Sequence, residues 1–331
     1  MKAIAIQQFG APSVFQTLDV ATPSVRPGHV LIRVAATSIN PVDTKIRAGV
    51  VAAIATDFPA ILHGDVAGVV EAVGQGVEHL QVGDEVYGCA GGVKGSGGAL
   101  AEYMLADADL VARKPTSLPL AEAAALPLVS ITAWEGLIDR AQVRPGQRVL
   151  VYGSTGGVGH IAVQLAKWAG ATVYALVSSH EKAAIARQLG ADVTLDYRQT
   201  PVADFVGQHA DGQGFDIVFD TVGNDNLQHA FQAAKPNGTV VSLVSLSRQD
   251  LTLLHTKGLT LHLVYMLLPL LTGRDRPYHR QILTRVAGLV DQGHLRPWLD
   301  AKSFTFQDVA AAHAHAESGH AVGKVVLKQL F

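Results

Sequence analysis

Cysteine is nearly missing: Cys89 is the only one in 331 residues. A single thiol excludes an intrachain disulfide framework and a zinc site built from several cysteines. Charge of one sign is also missing. Lys and Arg number 26 against 28 Asp and Glu, a formal net charge of −2, and no basic or acidic run stands out. Neither a nucleic-acid surface nor an anionic-membrane surface is expected. Long hydrophobic runs are absent too. The most apolar stretch, Leu259 to Leu271, is broken by His262 and Pro269. It falls short of the about 20 residues that a membrane-spanning helix needs. The start, MKAIAIQQFG, lacks the apolar segment of a secretory signal. With 48% hydrophobic and only 16% charged residues, the chain favours a large core over disorder. A soluble, cytoplasmic protein of two domains is expected, because the length exceeds one ordinary domain.

What is present divides into two textures. The first third is β-rich, with short β-branched runs such as MKAIAIQ, VLIRVAATSIN and DVAGVVEAVG separated by glycine turns. Residues 88–98, GCAGGVKGSGG, are too glycine-rich for a regular element and read as a mobile loop, a candidate lid. From Ser117 the chain turns Ala- and Leu-rich with helical spacing. From Arg148 strands and helices alternate: RVLVYG, HIAVQLAKWAG, TVYALVSS, HEKAAIARQLG, DVTLDY, GFDIVFDTVG, NLQHAFQAAKPNG and TVVSLVSL. That alternation predicts βαβ units and a doubly wound parallel sheet, an α/β fold. The last strand, with no helix after it, is free to rejoin the first domain's sheet. The expected domains are 1–123 with 299–331, and 124–298.

Between the strand RVLVY and its helix lie Gly153, Ser154, Thr155, Gly156, Gly157, Val158 and Gly159. The spacing G-x-x-G-x-x-G is not the usual dinucleotide fingerprint, but it occupies the same strand–turn–helix context. Bare main chain lets a pyrophosphate approach, and the helix N-terminus offers N–H groups and a positive dipole. The plainer reading is a β–turn–helix junction. An NAD site shows an acidic residue about 20 positions further on. Here that strand tip holds Val177, Ser178 and Ser179, then Glu181 and Lys182. The hydroxyls and Lys182 suit a 2′-phosphate, so NADP is favoured over NAD. Ser179 also reads as an ordinary helix N-cap, with Lys182 solvated.

Several motifs occur in one order: INPVD, GDVAG, VGDEVYG, SITAWEGL, GSTGGVG, LDYR and GFDIVFDTVG. In this the chain resembles the medium-chain dehydrogenase/reductase superfamily, and within it the zinc-free quinone oxidoreductases. Gly153 stands where that family usually has Ala. The resemblance implies an N-terminal GroES-like β-barrel domain, completed by the last strand, and a Rossmann domain, with the nicotinamide in the cleft between. It implies a homodimer, for which LTLHLVYM is the candidate edge strand. Zinc relatives carry a ligand Cys where this chain has Asn40, and His-Glu where it has Gly64-Asp65. His63 falls one position early, and His313 and His315 read as solvated. A metal is not expected.

The resemblance also places residues. Asn40 is the candidate donor to a developing oxyanion and orienter of the nicotinamide. Asp43 either shapes the cleft or caps the next turn. Thr132 contacts the nicotinamide or bonds its own helix carbonyls. Tyr197 lines the 2′-phosphate or is an ordinary strand-end aromatic. Val222, with Ser245 and Leu246, ends parallel strands, where ligands dock in such sheets. Lys324, in GKVVL, is a candidate to reach the phosphate. Three functions follow in order: an NADPH-dependent quinone reductase, a reductase of α,β-unsaturated aldehydes or ketones, and a low-turnover NADPH-binding sensor or structural protein.

Overall fold

Strands alternate with helices from Arg148 onward, as the pattern predicts. The computed structural model describes residues 1–244 and 246–330. Two compact units are formed, Met1–Ile131 with Leu267–Phe331, and Thr132–Met266.

The unit Thr132–Met266 is built on six parallel strands in the order Val193–Asp196, Thr172–Val177, Arg148–Tyr152, Phe215–Asp220, Ala234–Ser242, Thr260–Leu263. The order runs outward in both directions from Arg148–Tyr152, the arrangement of a Rossmann sheet. Period two sorts the strand residues onto two faces. Leu150, Tyr152, Tyr174, Leu176, Val218 and Val240 pack in one core with Phe205 and Phe231, from the helices Val202–His209 and Asn226–Ala233. The helix Asn226–Ala233 ends before the proline of AKPNG. The strand then begins at Ala234, earlier than the sequence suggests, because the turn at Asn237 lies within it (φ 59°). The expected edge strand is indeed outermost, at Thr260–Leu263.

In the other unit, a three-stranded sheet is joined by a seven-stranded one centred on His29–Ser38. The last strand, Val326–Lys328, pairs antiparallel with it, as expected. The unit reaches further back along the chain than the expected start at 299. The helix Arg276–Asp291 is the reason. It buries Ile282, Leu283, Val286 and Leu289, and Leu283 O accepts a 2.6 Å hydrogen bond from the Tyr87 hydroxyl.

The 88–98 segment is not the free lid its composition suggests. Its backbone is stitched to a neighbouring segment: Ala90 N to Gly64 O, Gly98 N to Ile61 O and Ala99 N to His63 O, each 2.9 Å. A side chain on Gly98 would lie 1.9 Å from Leu62 O, so close packing explains the glycine there. No helix among the described residues is long and apolar enough to cross a membrane.

Candidate active site

The glycine turn follows the strand Arg148–Tyr152 directly. Gly153 adopts φ +64°, a left-handed conformation that L side chains rarely take. A Cβ there would also lie 2.3 Å from Thr221 Oγ1, whose hydroxyl donates to Tyr152 O at 2.8 Å. This accounts for glycine where alanine is usual in the resembling family. A Cβ on Gly159 would meet Gly153 O at 2.0 Å, so the helix Gly159–Trp168 can seat against the turn only without one. A Cβ on Gly156 would meet nothing but Gly153 O, at 3.2 Å, which leaves a bare main-chain face. Ser154 turns inward and donates to Leu176 O, tying the turn to the next strand. Thr155 is buried as well. Gly157 and Val158 are half-buried at the helix entry.

The neighbouring strand tip gathers the second group. Ser179 caps the helix His180–Gln188, its hydroxyl accepting from Lys182 N at 3.2 Å. This cap stabilises the helix by about 1 kcal/mol. Tyr197 N donates to Val177 O at 3.3 Å, which brings the exposed Tyr197 ring's backbone beside Ser178. Across the switch in strand order, Asp220 is fully buried and accepts from Val222 N, Gly223 N and Asn226 Nδ2, at 2.8 to 3.0 Å. It shapes the turn that presents Val222, which is exposed, as is Leu246. Sequence reading passed over Asp220, whose signal is an acidic residue closing a buried strand. Ser245 lies outside the described residues. Thr132, in the helix Pro127–Trp134, is buried.

A polar cluster lies in the other unit. Strand register builds it. Val326 pairs with Ser38 and Ala67 with Ala36. Continuing both ladders two residues brings Lys324 opposite Asn40, and Asp65 opposite Ser38. Asp65 pairs in turn with Cys89. The side chains complete the picture. Asp65 Oδ2 accepts from Ser38 Oγ (2.7 Å) and Asn40 Nδ2 (2.8 Å), and Oδ1 accepts from Leu128 N (2.9 Å). Lys324 Nζ donates to Asn40 Oδ1 (2.6 Å) and Ile39 O (2.9 Å), and stands 3.5 Å from Asp65 Oδ2. Asp43 caps the helix Pro41–Arg47 by accepting from Asn40 N at 2.7 Å.

All of these residues are buried, and their acidities follow. Burial above all pushes the Asp43 carboxyl up to about 7. Asp65 adds to the rise, while the Asn40 N–H and the Lys324 charge oppose it. Burial pulls the Lys324 ammonium below the ordinary lysine value, against the pull of Asp65 and Asp43. Burial, then Asp65 and Asp43, drive the Cys89 thiol well up.

A family model described as an alcohol dehydrogenase GroES-like domain matches residues 26–116, and one described as a zinc-binding dehydrogenase matches 189–327. The chain is 35% identical to a 2-methylene-furan-3-one reductase of Solanum lycopersicum, covering 99% of this chain and 79% of the relative. It is 34% identical to a chloroplastic NADPH-dependent alkenal/one oxidoreductase of Arabidopsis thaliana, with the same coverage. A quinone oxidoreductase of Pseudomonas aeruginosa is 32% identical, over 98% of this chain and 99% of the relative. The chain belongs to the medium-chain dehydrogenase/reductase superfamily. Solved members agree in fold. An alcohol dehydrogenase superfamily protein from Novosphingobium aromaticivorans superposes with TM-score 0.94 at 38% identity, covering 99% of both chains. The Escherichia coli quinone oxidoreductase complexed with NADPH gives 0.86 at 25%, over 99% of this chain and 100% of that one.

One matching family model is described as a zinc-binding dehydrogenase, and a catalytic zinc wants three protein ligands. The donors here do not fit one. Both Asp65 oxygens are engaged, and a buried ammonium stands beside them. His63 spends its ring nitrogens on Thr37 Oγ1 (3.3 Å) and His313 Nε2 (2.9 Å). His313 is therefore buried, not solvated, because its helix turns it inward. His315 bonds Asp300 instead. Lys324 also departs from expectation. Its ammonium is sealed against Asn40, so it does not serve a phosphate. Asp65 and Ser38 were missed as site residues, since only register over a long sequence separation brings them to Asn40.

Proposed function

We propose that the protein is an NADPH-dependent oxidoreductase that reduces an acceptor conjugated to a carbonyl, either a quinone or an α,β-unsaturated ketone or aldehyde. The observation that carries this reading is the Asn40 carboxamide, held between an anion and a cation. Such acceptors are already electrophilic and need one well-placed donor rather than a Lewis acid. When bound, NADPH supplies the hydride. The main chain of Gly153 to Gly159 holds the diphosphate at the helix N-terminus. Ser178, Ser179, Lys182 and Tyr197 receive the 2′-phosphate, and no carboxylate ends the strand Thr172–Val177 to repel it. Thr132, Val222 and Leu246 are assigned to the nicotinamide end. Asn40 donates to the acceptor oxygen as negative charge grows there. The outer strand Thr260–Leu263 is the edge assigned to a homodimer, which light scattering tests.

Within this class, the names of two relatives, both acting on carbonyl-conjugated double bonds, favour the enone or enal over the quinone. Parallel assays decide. NADPH oxidation is followed with a quinone, an enal and an enone, and the products are identified as hydroquinone or saturated carbonyl. Tight NADPH binding with no turnover on any of the three sinks the reductase reading and leaves a sensor. Asn40→Ala is expected to lower turnover while leaving NADPH affinity nearly unchanged.

A further inference from the structure

Three features invite attention: the cavity bordered by Arg26, His29 and Arg276, the buried His63–His313 pair, and the ammonium of Lys324. The first is lined by an arginine whose guanidinium is already committed to Asp107, Pro269 O and Leu270 O. The second leaves only His313 Nδ1 without a hydrogen-bond partner, and that atom is buried. The third does something specific.

A buried lysine beside a buried aspartate is ordinarily read as charge neutralisation. The distances add a second role. Lys324 Nζ lies 2.6 Å from Asn40 Oδ1 and 2.9 Å from Ile39 O, but 3.5 Å from Asp65 Oδ2. Asp65 already has Ser38, Asn40 and the Leu128 N–H on its oxygens. The ammonium makes its shortest bond to the amide oxygen and pairs with the carboxylate at the longer distance. On the opposite side, Asn40 Nδ2 donates to Asp65 at 2.8 Å.

We propose that Lys324, with Asp65, is a positioning residue that fixes the orientation of the Asn40 carboxamide. A flipped amide would turn its N–H groups toward the ammonium and its oxygen toward the carboxylate, so both charges oppose the flip. One N–H of Asn40 faces Asp65. The second has no other partner among the described residues and is the one left for an acceptor oxygen. A cation on the amide oxygen also draws electron density from the nitrogen and makes that remaining N–H a stronger donor. This rests on the reading that Asn40 meets the acceptor, but the clamp itself is a separate claim.

Two readouts keep the claims apart. The first is steady-state kinetics with NADPH and the best acceptor, beside NADPH binding by fluorescence titration. Lys324→Met is expected to lower kcat about 100-fold, the scale of a misplaced catalytic group, with NADPH affinity unchanged. Lys324→Arg, which keeps a fixed cation, recovers much of the loss. The second is the Asn40 side-chain amide resonance pair, identified by its disappearance in Asn40→Asp. It is expected to be single and slowly exchanging in the wild type, and shifted and broadened in Lys324→Met. Should Lys324→Met fail to fold with Asp65 unpaired, the pair Asp65→Asn/Lys324→Met removes both charges and is read the same way. Unchanged amide resonances overturn the proposal even if no acceptor is ever found, and so does an unchanged kcat in an active enzyme. Absent turnover in the wild type, with the resonances responding as stated, fails only the reductase reading.

Discussion

His63 and His313 meet Nε2 to Nε2 at 2.9 Å, fully buried, with His63 in a left-handed backbone conformation at φ +73°. Donor counting assigns the protons. The Thr37 hydroxyl gives its one hydrogen to Asp65 O at 2.5 Å, so it must accept from His63 Nδ1. His63 Nε2 is then the acceptor and His313 Nε2 the donor. Both rings are neutral. Burial lowers the His63 pKa well below its ordinary value, helped by His313 and Lys324. Burial, with Arg47 adding, lowers that of His313 to about 3.

Acid should therefore attack this pair. The unfolded chain protonates both histidines below its ordinary value of 6.5, whereas the folded chain does not. Their contribution is complete above 6.5 and is lost as pH falls toward about 3. His313→Gln keeps a donor for His63 but cannot titrate. Denaturant unfolding between about pH 4.5 and 6.5 should show its stability falling less steeply, by about 1.4 kcal/mol per pH unit. Parallel slopes for wild type and variant would place the acid sensitivity elsewhere.

Asp43 should act with the opposite sign. Its folded pKa of about 7 lies above the ordinary 3.8, so the folded chain holds a proton that the unfolded chain has released. That stabilising contribution is present below 3.8 and disappears as pH rises through about 7. Asp43→Asn can still accept from Asn40 N and stays neutral throughout. Relative to wild type it should gain stability as pH rises from about 4 to 7, and the same unfolding series measures this. A constant difference across that range would mean Asp43 stays ionised inside the fold.

Gly153 carries a double constraint, from φ +64° and from Thr221 Oγ1 at 2.3 Å from its missing Cβ. Gly153→Ala should cost about 1–2 kcal/mol for the left-handed conformation alone. It should also push the Thr221 hydroxyl from Tyr152 O and loosen the turn. Thr221→Ala added to Gly153→Ala relieves the contact and should restore part of the loss. Denaturant midpoints of the single and double variants test this. A fully additive pair would show that the contact does not matter.

Much of this was legible in the sequence, and what was not shares a cause. The strands from Arg148 to Ser242 and their glycine turn are local patterns: apolar runs, helical spacing and a bare loop between them. Gly153 to Gly159 and Ser179 could be named on that basis, whereas Tyr197 was named from the family resemblance. Lys324 was named as a candidate for the phosphate from its place on the C-terminal strand, in GKVVL. Its place beside Asn40 is set by strand pairing across 284 residues, and that of His63 beside His313 across 250. The helix Arg276–Asp291 went unread, and with it the later domain boundary. Asn40 and Asp43 were named singly. Neither spacing nor composition shows that they share one buried network with Asp65.

The strand tip at Ser178 offers the sharpest test of the nucleotide. Ser178 follows the strand Thr172–Val177 directly, and Tyr197 is pinned beside it through Val177 O. Ser178→Asp places a carboxylate where a 2′-phosphate would sit. Charge repulsion then opposes NADPH, while the same carboxylate can accept from the free 2′-hydroxyl of NADH. Affinity for NADPH should fall by tenfold or more, about 1.4 kcal/mol, with that for NADH held or improved. Fluorescence titration with both coenzymes measures the ratio, and raising the salt should weaken the discrimination because Ser178 is only half-buried. An equal loss for both coenzymes would mean that Ser178 only supports the turn and that the phosphate, if bound, is held elsewhere.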